Sequence, residues 1–185
     1  MAADGSLGLG GTRVFVLTVS DGVASGTRDD RSGTVLETRL TALGARVDRG
    51  VVMDDAAGIG AAVLAAARSH QLVLTTGGTG LTPRDVTPQA TRAILDQEIP
   101  GIGEAMRAAG RRATPLADLS RAVAGMVGTT LVINLPGSPT GALEALNAVE
   151  PILAHAIETL AGPHDHDAAR ASRRVTYDRP EEDAS

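Results

Sequence analysis

The sequence predicts an α/β fold in three layers, a mainly parallel β-sheet with helices on both faces. Two observations support this fold class. Short apolar runs rich in β-branched residues alternate along the chain with longer segments of helical periodicity. Three of these runs end in loops rich in glycine, serine, proline or aspartate. Because sheets of this kind bind their ligands beyond the carboxyl ends of the strands, these loops are the first candidates for a functional site.

The first half of the chain is predicted to contain three strands and two helices. The strands cover residues 13–19, 46–53 and 71–76, and the helices cover residues 34–43 and 56–69. Gly44 fits the position that ends the first of these helices. A polar loop joins the first strand to that helix.

The second half of the chain is predicted to begin with a helix at Thr87-Pro88, which has the form of an N-cap followed by proline at the first helical position. It also contains a short helix, a last strand and a long helical segment, within residues 97–112, at 130–135 and at 144–161. Ser138 is predicted to be the N-cap of the last helix, with Pro139 at its first position. The long helix is either continuous or in two pieces around Pro151. The apolar segment AVAGMV before the last strand leads to a turn at Gly128.

The chain of 185 residues is long enough for one domain with a substantial core. Residues 12–162 are predicted to form this domain. Residues 1–11 and 163–185 lack apolar periodicity, and we expect them to be flexible tails whose removal leaves stability unchanged.

The composition excludes several functional classes. All 17 basic residues are arginine and there is no cysteine, which excludes a P-loop lysine, Schiff-base chemistry and zinc-thiolate sites. A net charge of -5 and only two aromatic residues argue against nucleic acid as a partner. The chain has no signal-like start and no apolar run of membrane-spanning length, so we expect a cytoplasmic protein without a membrane partner.

The strongest candidate for a binding site lies in residues 72–90, LVLTTGGTGLTPRDVTPQA. An apolar run ends there in a glycine-rich loop consisting of Thr76, Gly77, Gly78, Thr79 and Gly80. The amide groups of such a loop can form a concave nest that receives an oxyanion. A tight turn without a ligand is the alternative interpretation. The spacing does not fit G-x-G-x-x-G, which argues against a dinucleotide dehydrogenase.

Carboxylates follow two of the predicted strands. Asp54 and Asp55 lie directly before a helix, and Asp85 follows the glycine loop beside Arg84. An acidic residue at a strand end beside a phosphate site commonly binds Mg²⁺, whereas capping is the ordinary role of aspartate before a helix. For Asp54 and Asp55 both roles stay open, and we expect at least one of the two to be a cap. The position of Asp85 favours a metal or ligand role over pairing with Arg84.

Two other strand ends carry polar loops, and a third loop carries a hydroxyl. These residues are Ser20, Asp21 and Gly22 after the first strand, Pro136, Gly137, Ser138 and Pro139 after the last strand, and Ser120. Turn formation and helix capping alone would also explain these residue types.

Taken in order, these motifs resemble the MogA/MoaB family of molybdenum cofactor biosynthesis proteins. The matching segments are VSDGVASG, the DD pair, TTGGTGLTPRDVTPQA, PGIGEAMR, LSRAVAGMVG and LVINLPGSP, between about residues 13 and 162. The resemblance implies a molybdopterin-binding α/β fold that assembles as a homotrimer or a dimer of trimers. It also implies molybdopterin adenylyltransferase activity. In that reaction the terminal phosphate of molybdopterin attacks the α-phosphate of ATP, with Mg²⁺, and yields adenylyl-molybdopterin and pyrophosphate.

The resemblance places the essential acidic positions of the family at Asp54 and Asp85, as catalytic Mg²⁺ ligands. It assigns substrate binding to the three strand-end loops, Arg84 and Ser120. The chain departs from the family pattern at Met53, where proline is common, at Gly22, where arginine is frequent, and at Ser138, where an amide residue is usual. The last two changes remove a cation and a side-chain amide from the expected site.

Two other functions stay open. A MoaB-like paralogue could bind or carry molybdopterin without adenylylating it, and the same domain serves as a scaffold in larger proteins. The presence of Asp54 and Asp85 favours the enzyme, and a chain without a second domain is not expected to be a scaffold. The resemblance also makes the molybdate-insertion enzyme a candidate partner.

Overall fold

A six-stranded sheet forms the centre of the computed structural model, which describes residues 8–162. Its strands are β1 (Arg13–Val19), β2 (Arg46–Val52), β3 (Leu72–Thr76), β4 (Gln97–Glu98), β5 (Ala124–Val127) and β6 (Thr130–Leu135). They are arranged in the order β2-β1-β3-β6-β5-β4. β1, β2, β3 and β6 are parallel, whereas β5 pairs antiparallel with both β6 and β4.

Helices cover both faces of this sheet. They are α1 (Asp21–Ala24), α2 (Arg31–Ala42), α3 (Ala56–Ala67), α4 (Thr87–Arg92), α5 (Pro100–Gly110) and α6 (Pro139–Leu160), with a 3₁₀ helix at Pro115–Leu119. None of the helices in residues 8–162 is long and apolar enough to cross a lipid bilayer.

Alternate residues of each central strand pack into different layers. Val14 and Val16 of β1 join the core beneath α2, α5 and α6, whereas Leu17 and Val19 join the core beneath α3 and α4. Successive side chains of a strand point to opposite faces, so this division requires helices on both sides of the sheet. The predicted three-layer, mainly parallel fold is therefore confirmed.

The sequence analysis did not predict the antiparallel edge, β4 and β5. β5 is a short strand with a glycine in its middle, and glycine weakens the strand signal. In the structure Gly125 is needed, because a Cβ there would collide with the carbonyl oxygen of Gln97. Gly128, at φ +56°, turns the chain from β5 into β6.

Two helix starts differ from the prediction. α2 begins three residues earlier, because the side chain of Asp30 accepts a hydrogen bond from the amide of Gly33 at 2.9 Å. Thr87 does not cap α4, since Val86 occupies the N-cap position and makes no side-chain bond. α6 begins at Pro139 with Ser138 as its N-cap, which confirms the predicted start, and it continues through Pro151 without interruption.

The N-terminal boundary of the domain also differs from the prediction. Leu9 is buried in the core and its amide donates to the carbonyl of Leu43 at 2.8 Å. Residues 9–11 are therefore part of the globular unit rather than of a tail. The predicted C-terminal tail, residues 163–185, lies outside the described residues.

Candidate functional site

A cavity of about 850 Å³ opens at the carboxyl ends of the parallel strands. Its walls come from the segments that follow β1, β2, β3 and β6, which the parallel topology brings to one edge of the sheet. The predicted site residues that line it are Ser20, Asp54, Thr76, Gly77, Gly78, Gly137, Ser138 and Pro139. Below we call this the polar cavity.

The glycine loop after β3 adopts a backbone that other residues would strain. Gly77 and Gly78 have φ angles of +105° and +64°. A Cβ on Gly77 would collide with the carbonyl oxygen of Val19, and one on Gly78 would collide with the hydroxyl of Thr87. The Gly77 amide donates to Leu135 at 3.2 Å. Within residues 8–162 the amides of Gly78 and Thr79 have no hydrogen-bond partner, so these two remain to receive an oxyanion.

The serines beside this loop cap helices and line the cavity at the same time. Ser20 accepts a hydrogen bond from Val23 at the start of α1, and Ser138 accepts one from Gly141 at the start of α6. Thr76 ties two loops together by donating its hydroxyl to the carbonyl of Pro136 at 2.7 Å. Capping and cavity lining are therefore both roles of the same residues.

The two roles expected of the DD pair fall on different residues. Asp55 caps α3 by accepting from the amide of Gly58 at 2.7 Å. Asp54 lines the polar cavity instead, and its Oδ2 atom accepts from the amide of Asp21 at 2.9 Å. Asp21 accepts in return from the amide of Asp54 at 3.1 Å. The guanidinium of Arg84 and this amide hold the pKa of the Asp21 carboxyl below its usual value.

Asp85 lies at the other end of the glycine loop. Its Oδ2 atom accepts from the amide and the hydroxyl of Thr82, at 2.8 and 2.6 Å. Burial opposes its ionisation, but the bonds from Thr82 and from the Gly80 amide outweigh burial and keep the pKa of Asp85 below its usual value. Arg121, which sequence analysis did not identify, fixes the loop by donating to the carbonyls of Gly80 and Asp85.

The two carboxylates flank the glycine loop. Oδ1 of Asp54 lies 3.4 Å from the position of a Cβ on Gly78, and Oδ2 of Asp85 lies 3.0 Å from the position of a Cβ on Gly80. Asp85 does not line the polar cavity in this state. The described residues contain no group of three or more acidic, histidine or cysteine side chains that could hold a metal ion without help from a ligand.

A second cavity of about 470 Å³ adjoins the first at Ser138. Its wall includes the predicted residues Thr79, Gly80, Ser120, Pro136 and Ser138. Most of its surface comes from apolar side chains that sequence analysis did not single out: Leu81, Met106, Leu116, Ala117, Leu119, Ala122 and Ala145. Below we call this the apolar cavity.

Comparison with known proteins agrees with this geometry. The family profile described as a probable molybdopterin binding domain matches residues 15–155. The chain is 46% identical to the molybdopterin biosynthesis enzyme MoaB of Thermus thermophilus, with a TM-score of 0.77 over 82% of this chain and 98% of that one. The chain belongs to the MogA/MoaB family.

Curated members of the family include enzymes. The chain is 35% identical over 154 residues to the molybdopterin adenylyltransferase of Helicobacter pylori J99, which covers 80% of this chain and 88% of that protein. It is 42% identical over 160 residues, 85% of its own length, to the molybdenum cofactor biosynthesis bifunctional protein of Synechococcus elongatus. The chain spans about half the length of this bifunctional relative.

Four predicted site residues line neither cavity: Asp21, Gly22, Arg84 and Asp85. Sequence analysis did not select Arg28, in the loop after α1, or Arg31, the first residue of α2, and both line the polar cavity. A Cβ on Gly22 would lie 2.7 Å from Cδ of Arg28, so the guanidinium stem of Arg28 packs over the glycine that stands where the family frequently has arginine. The polar loop between β1 and α2 carried the signal for this cation, but its spacing gave no reason to select Arg28.

Proposed function

We propose that the chain is a molybdopterin adenylyltransferase of molybdenum cofactor biosynthesis, which transfers AMP from Mg-ATP to molybdopterin in the cytoplasm. The observation that carries this proposal is the meeting of a polar, phosphate-receptive cavity and an apolar cavity at one residue, Ser138. Both substrates combine a phosphate group with a flat ring, and the product joins them through their phosphates. The similarity to a relative named molybdopterin adenylyltransferase supports the same reaction.

The polar cavity suits the triphosphate of ATP. It presents the amides of the glycine loop and the start of α6, where unpaired N–H groups favour an anion. Arg28 also lines it and forms no ion pair within residues 8–162, so its guanidinium is available to phosphate oxygens. Arg28 can thus supply the positive charge that Gly22 does not provide.

The acidic residues fit a Mg²⁺ ion that binds together with the nucleotide. Mg²⁺ in nucleotide sites uses one or two carboxylates and the substrate phosphates rather than a complete protein cage. Oδ1 of Asp54 has no hydrogen-bond partner within the described residues, and Asp54 faces the polar cavity. Asp54 would hold the ion, and Asp85 would join it from the other end of the glycine loop. When bound, Mg²⁺ neutralises charge on the phosphates.

The reaction then needs positioning more than acid–base chemistry. A phosphate oxygen of molybdopterin forms a bond to the α-phosphorus of ATP, the bond from that phosphorus to the bridging oxygen breaks, and pyrophosphate leaves. The nucleophile is already ionised, so no general base is required. The glycine amides and Arg28 would orient the α-phosphate and stabilise the charge that develops on it.

The apolar cavity suits the pterin ring, with Ser138 and the glycine loop beside the pterin phosphate. Leu119 and Met106 offer apolar surface, and Arg107 and Glu144 offer polar groups at the same wall. A flat heterocycle with edge donors and acceptors fits such a wall.

We further propose that the protein is a homotrimer and that the molybdate-insertion enzyme is its partner. Val51 and Met53 remain 45% and 54% exposed at the open edge of the sheet beside β2. An apolar sheet edge of this kind favours association with another chain. Light scattering coupled to size exclusion tests the trimer, and a monomer mass at micromolar concentration would refute it.

One observation favours a second function, the binding of molybdopterin without adenylylation. Asp85 is engaged by Thr82 and lies outside the polar cavity, so it does not face the same space as Asp54. Incubation with molybdopterin, ATP and Mg²⁺ separates the two functions. Formation of adenylyl-molybdopterin and pyrophosphate supports the enzyme, whereas tight molybdopterin binding without product supports the carrier.

A further inference from the structure

Thr87 carries a buried hydroxyl that the interactions described above do not use. Its side chain is 0% exposed, and Oγ1 is the one buried side-chain polar atom in residues 8–162 without a hydrogen-bond partner. A buried hydroxyl without a partner is unfavourable, so each such group in a folded protein requires an explanation. Another state of the site, in which Thr87 gains a partner, provides one.

Thr91, in the same helix, is a buried threonine whose hydroxyl has a structural role. Thr91 lies one turn after Thr87 in α4 and is equally buried. Its hydroxyl accepts a hydrogen bond from the side-chain amide of Asn134 at 2.9 Å, which anchors α4 to β6. Because Thr91 already ties the helix to the sheet, Thr87 is not needed for that purpose.

The hydroxyl of Thr87 and the carboxylate of Asp54 both lie beside Gly78 of the glycine loop. A Cβ on Gly78 would collide with Oγ1 of Thr87 and would lie 3.4 Å from Oδ1 of Asp54. The amide of Thr87 also donates to the carbonyl of Gly78 at 3.1 Å. Gly78 therefore lies next to both a hydroxyl that lacks an acceptor and a carboxylate oxygen that lacks a donor within the described residues.

We propose that Thr87 is a positioning residue that donates its hydroxyl hydrogen bond to Oδ1 of Asp54 when a nucleotide fills the polar cavity. The inference rests on the proposed function, since the role of Asp54 there is to hold the nucleotide-bound cation. Gly77 and Gly78 are both at positive φ, and their lack of a side chain gives the loop the backbone freedom that this rearrangement requires. Oδ1 keeps a second lone pair for the cation, so the hydrogen bond orients the carboxylate without blocking it.

Two substitutions at Thr87 and one control at Thr91 test this role. Thr87→Val keeps the shape of the side chain and removes the hydroxyl, and Thr87→Ser restores it. Because the hydroxyl has no partner in the free protein, we expect the Tm of Thr87→Val to stay within about 2 °C of wild type or to rise. Thr91→Val removes a hydrogen bond that the free protein makes, and we expect it to lower the Tm by several degrees.

Binding of Mg-ATP distinguishes positioning from packing. Wild type and Thr87→Ser should gain Tm on addition of Mg-ATP, whereas Thr87→Val should gain much less and bind Mg-ATP about tenfold more weakly by calorimetry. A Tm loss in free Thr87→Val as large as that of Thr91→Val would overturn the inference, as would wild-type affinity of Thr87→Val for Mg-ATP. A wild-type protein that neither binds Mg-ATP nor forms product would instead overturn the proposed function, and the inference with it.

Discussion

The polar cavity and the apolar cavity adjoin at Ser138 but are built by different means. The polar cavity is formed mainly by loops that follow parallel strands, with backbone amides, helix caps and the carboxylates of Asp29 and Asp54 on its wall. The apolar cavity is formed by residues 79–81 together with side chains of α5, the 3₁₀ helix and α6, so it joins segments that lie far apart in the sequence. In the proposed function, backbone at strand ends would therefore provide the groups that bind phosphate, while helix packing would provide the apolar surface for a ring.

The largest effect is expected from removing the charge of Asp54 in the polar cavity. Asp54→Asn keeps the size of the side chain and an oxygen that can accept from Asp21, but it loses the charge that holds the cation. We expect adenylylation to fall by about a hundredfold or more, with little change in molybdopterin affinity. Initial rates and molybdopterin titrations measure the two quantities.

Asp55→Asn is the matched control for this change. Asparagine is as good an N-cap as aspartate, so the variant should retain both stability and near wild-type activity. Near-normal adenylylation by Asp54→Asn would show that Asp54 has a structural role and no catalytic one.

The second prediction concerns Asp85, which lines neither cavity in the free protein. If it joins the cation as proposed, Asp85→Asn should also lower turnover by on the order of a hundredfold. Thr82→Val removes the hydroxyl that donates a hydrogen bond to Asp85 but leaves the carboxylate of Asp85 in place. It should therefore lower activity much less than Asp85→Asn does. Equal losses in the two variants would show that Asp85 only shapes the loop.

The third prediction concerns the apolar cavity. Leu119 is 50% exposed at its wall, so Leu119→Ser should leave the Tm nearly unchanged. We expect molybdopterin affinity to fall about tenfold, because part of the apolar surface for the ring is lost, while Mg-ATP affinity stays the same. Leu64→Ser, the same change on α3 at 40% exposure and outside both cavities, should alter neither affinity. Weaker Mg-ATP binding by Leu119→Ser would contradict the division of the two substrates.

The smallest expected effect is electrostatic and concerns Asp21, which is hydrogen-bonded to Asp54. Its pKa is lowered by Arg84, so its contribution to stability is present above the unfolded value near 3.8 and is lost as the pH falls through the folded value. The Tm difference between wild type and Asp21→Asn should therefore shrink as the pH falls below about 4. The effect is small because the pair is exposed to solvent. Parallel Tm curves over this range would show that Asp21 does not contribute in this way.

The sequence alone determined the fold class and the edge of the sheet at which the polar cavity lies. Strand periodicity is a local property, and parallel strands necessarily bring their carboxyl ends to one edge. The loops after β1, β3 and β6 could therefore be grouped from strand periodicity and chain order alone. The Gly77-Gly78 turn was visible for the same reason, since glycine is required wherever the backbone takes positive φ.

Only the tertiary structure decided which of the neighbouring aspartates caps and which faces the cavity. Asp54 and Asp55 have the same chemistry and differ by one position, so the direction of each side chain depends on how β2 leads into α3. The apolar cavity and the unpaired hydroxyl of Thr87 depend on residues that meet only when α4, α5 and α6 pack on the sheet. Contacts between residues distant in sequence leave no periodic signal. Sequence analysis had only the local Thr87-Pro88 pair to use, and it therefore interpreted Thr87 as a helix cap.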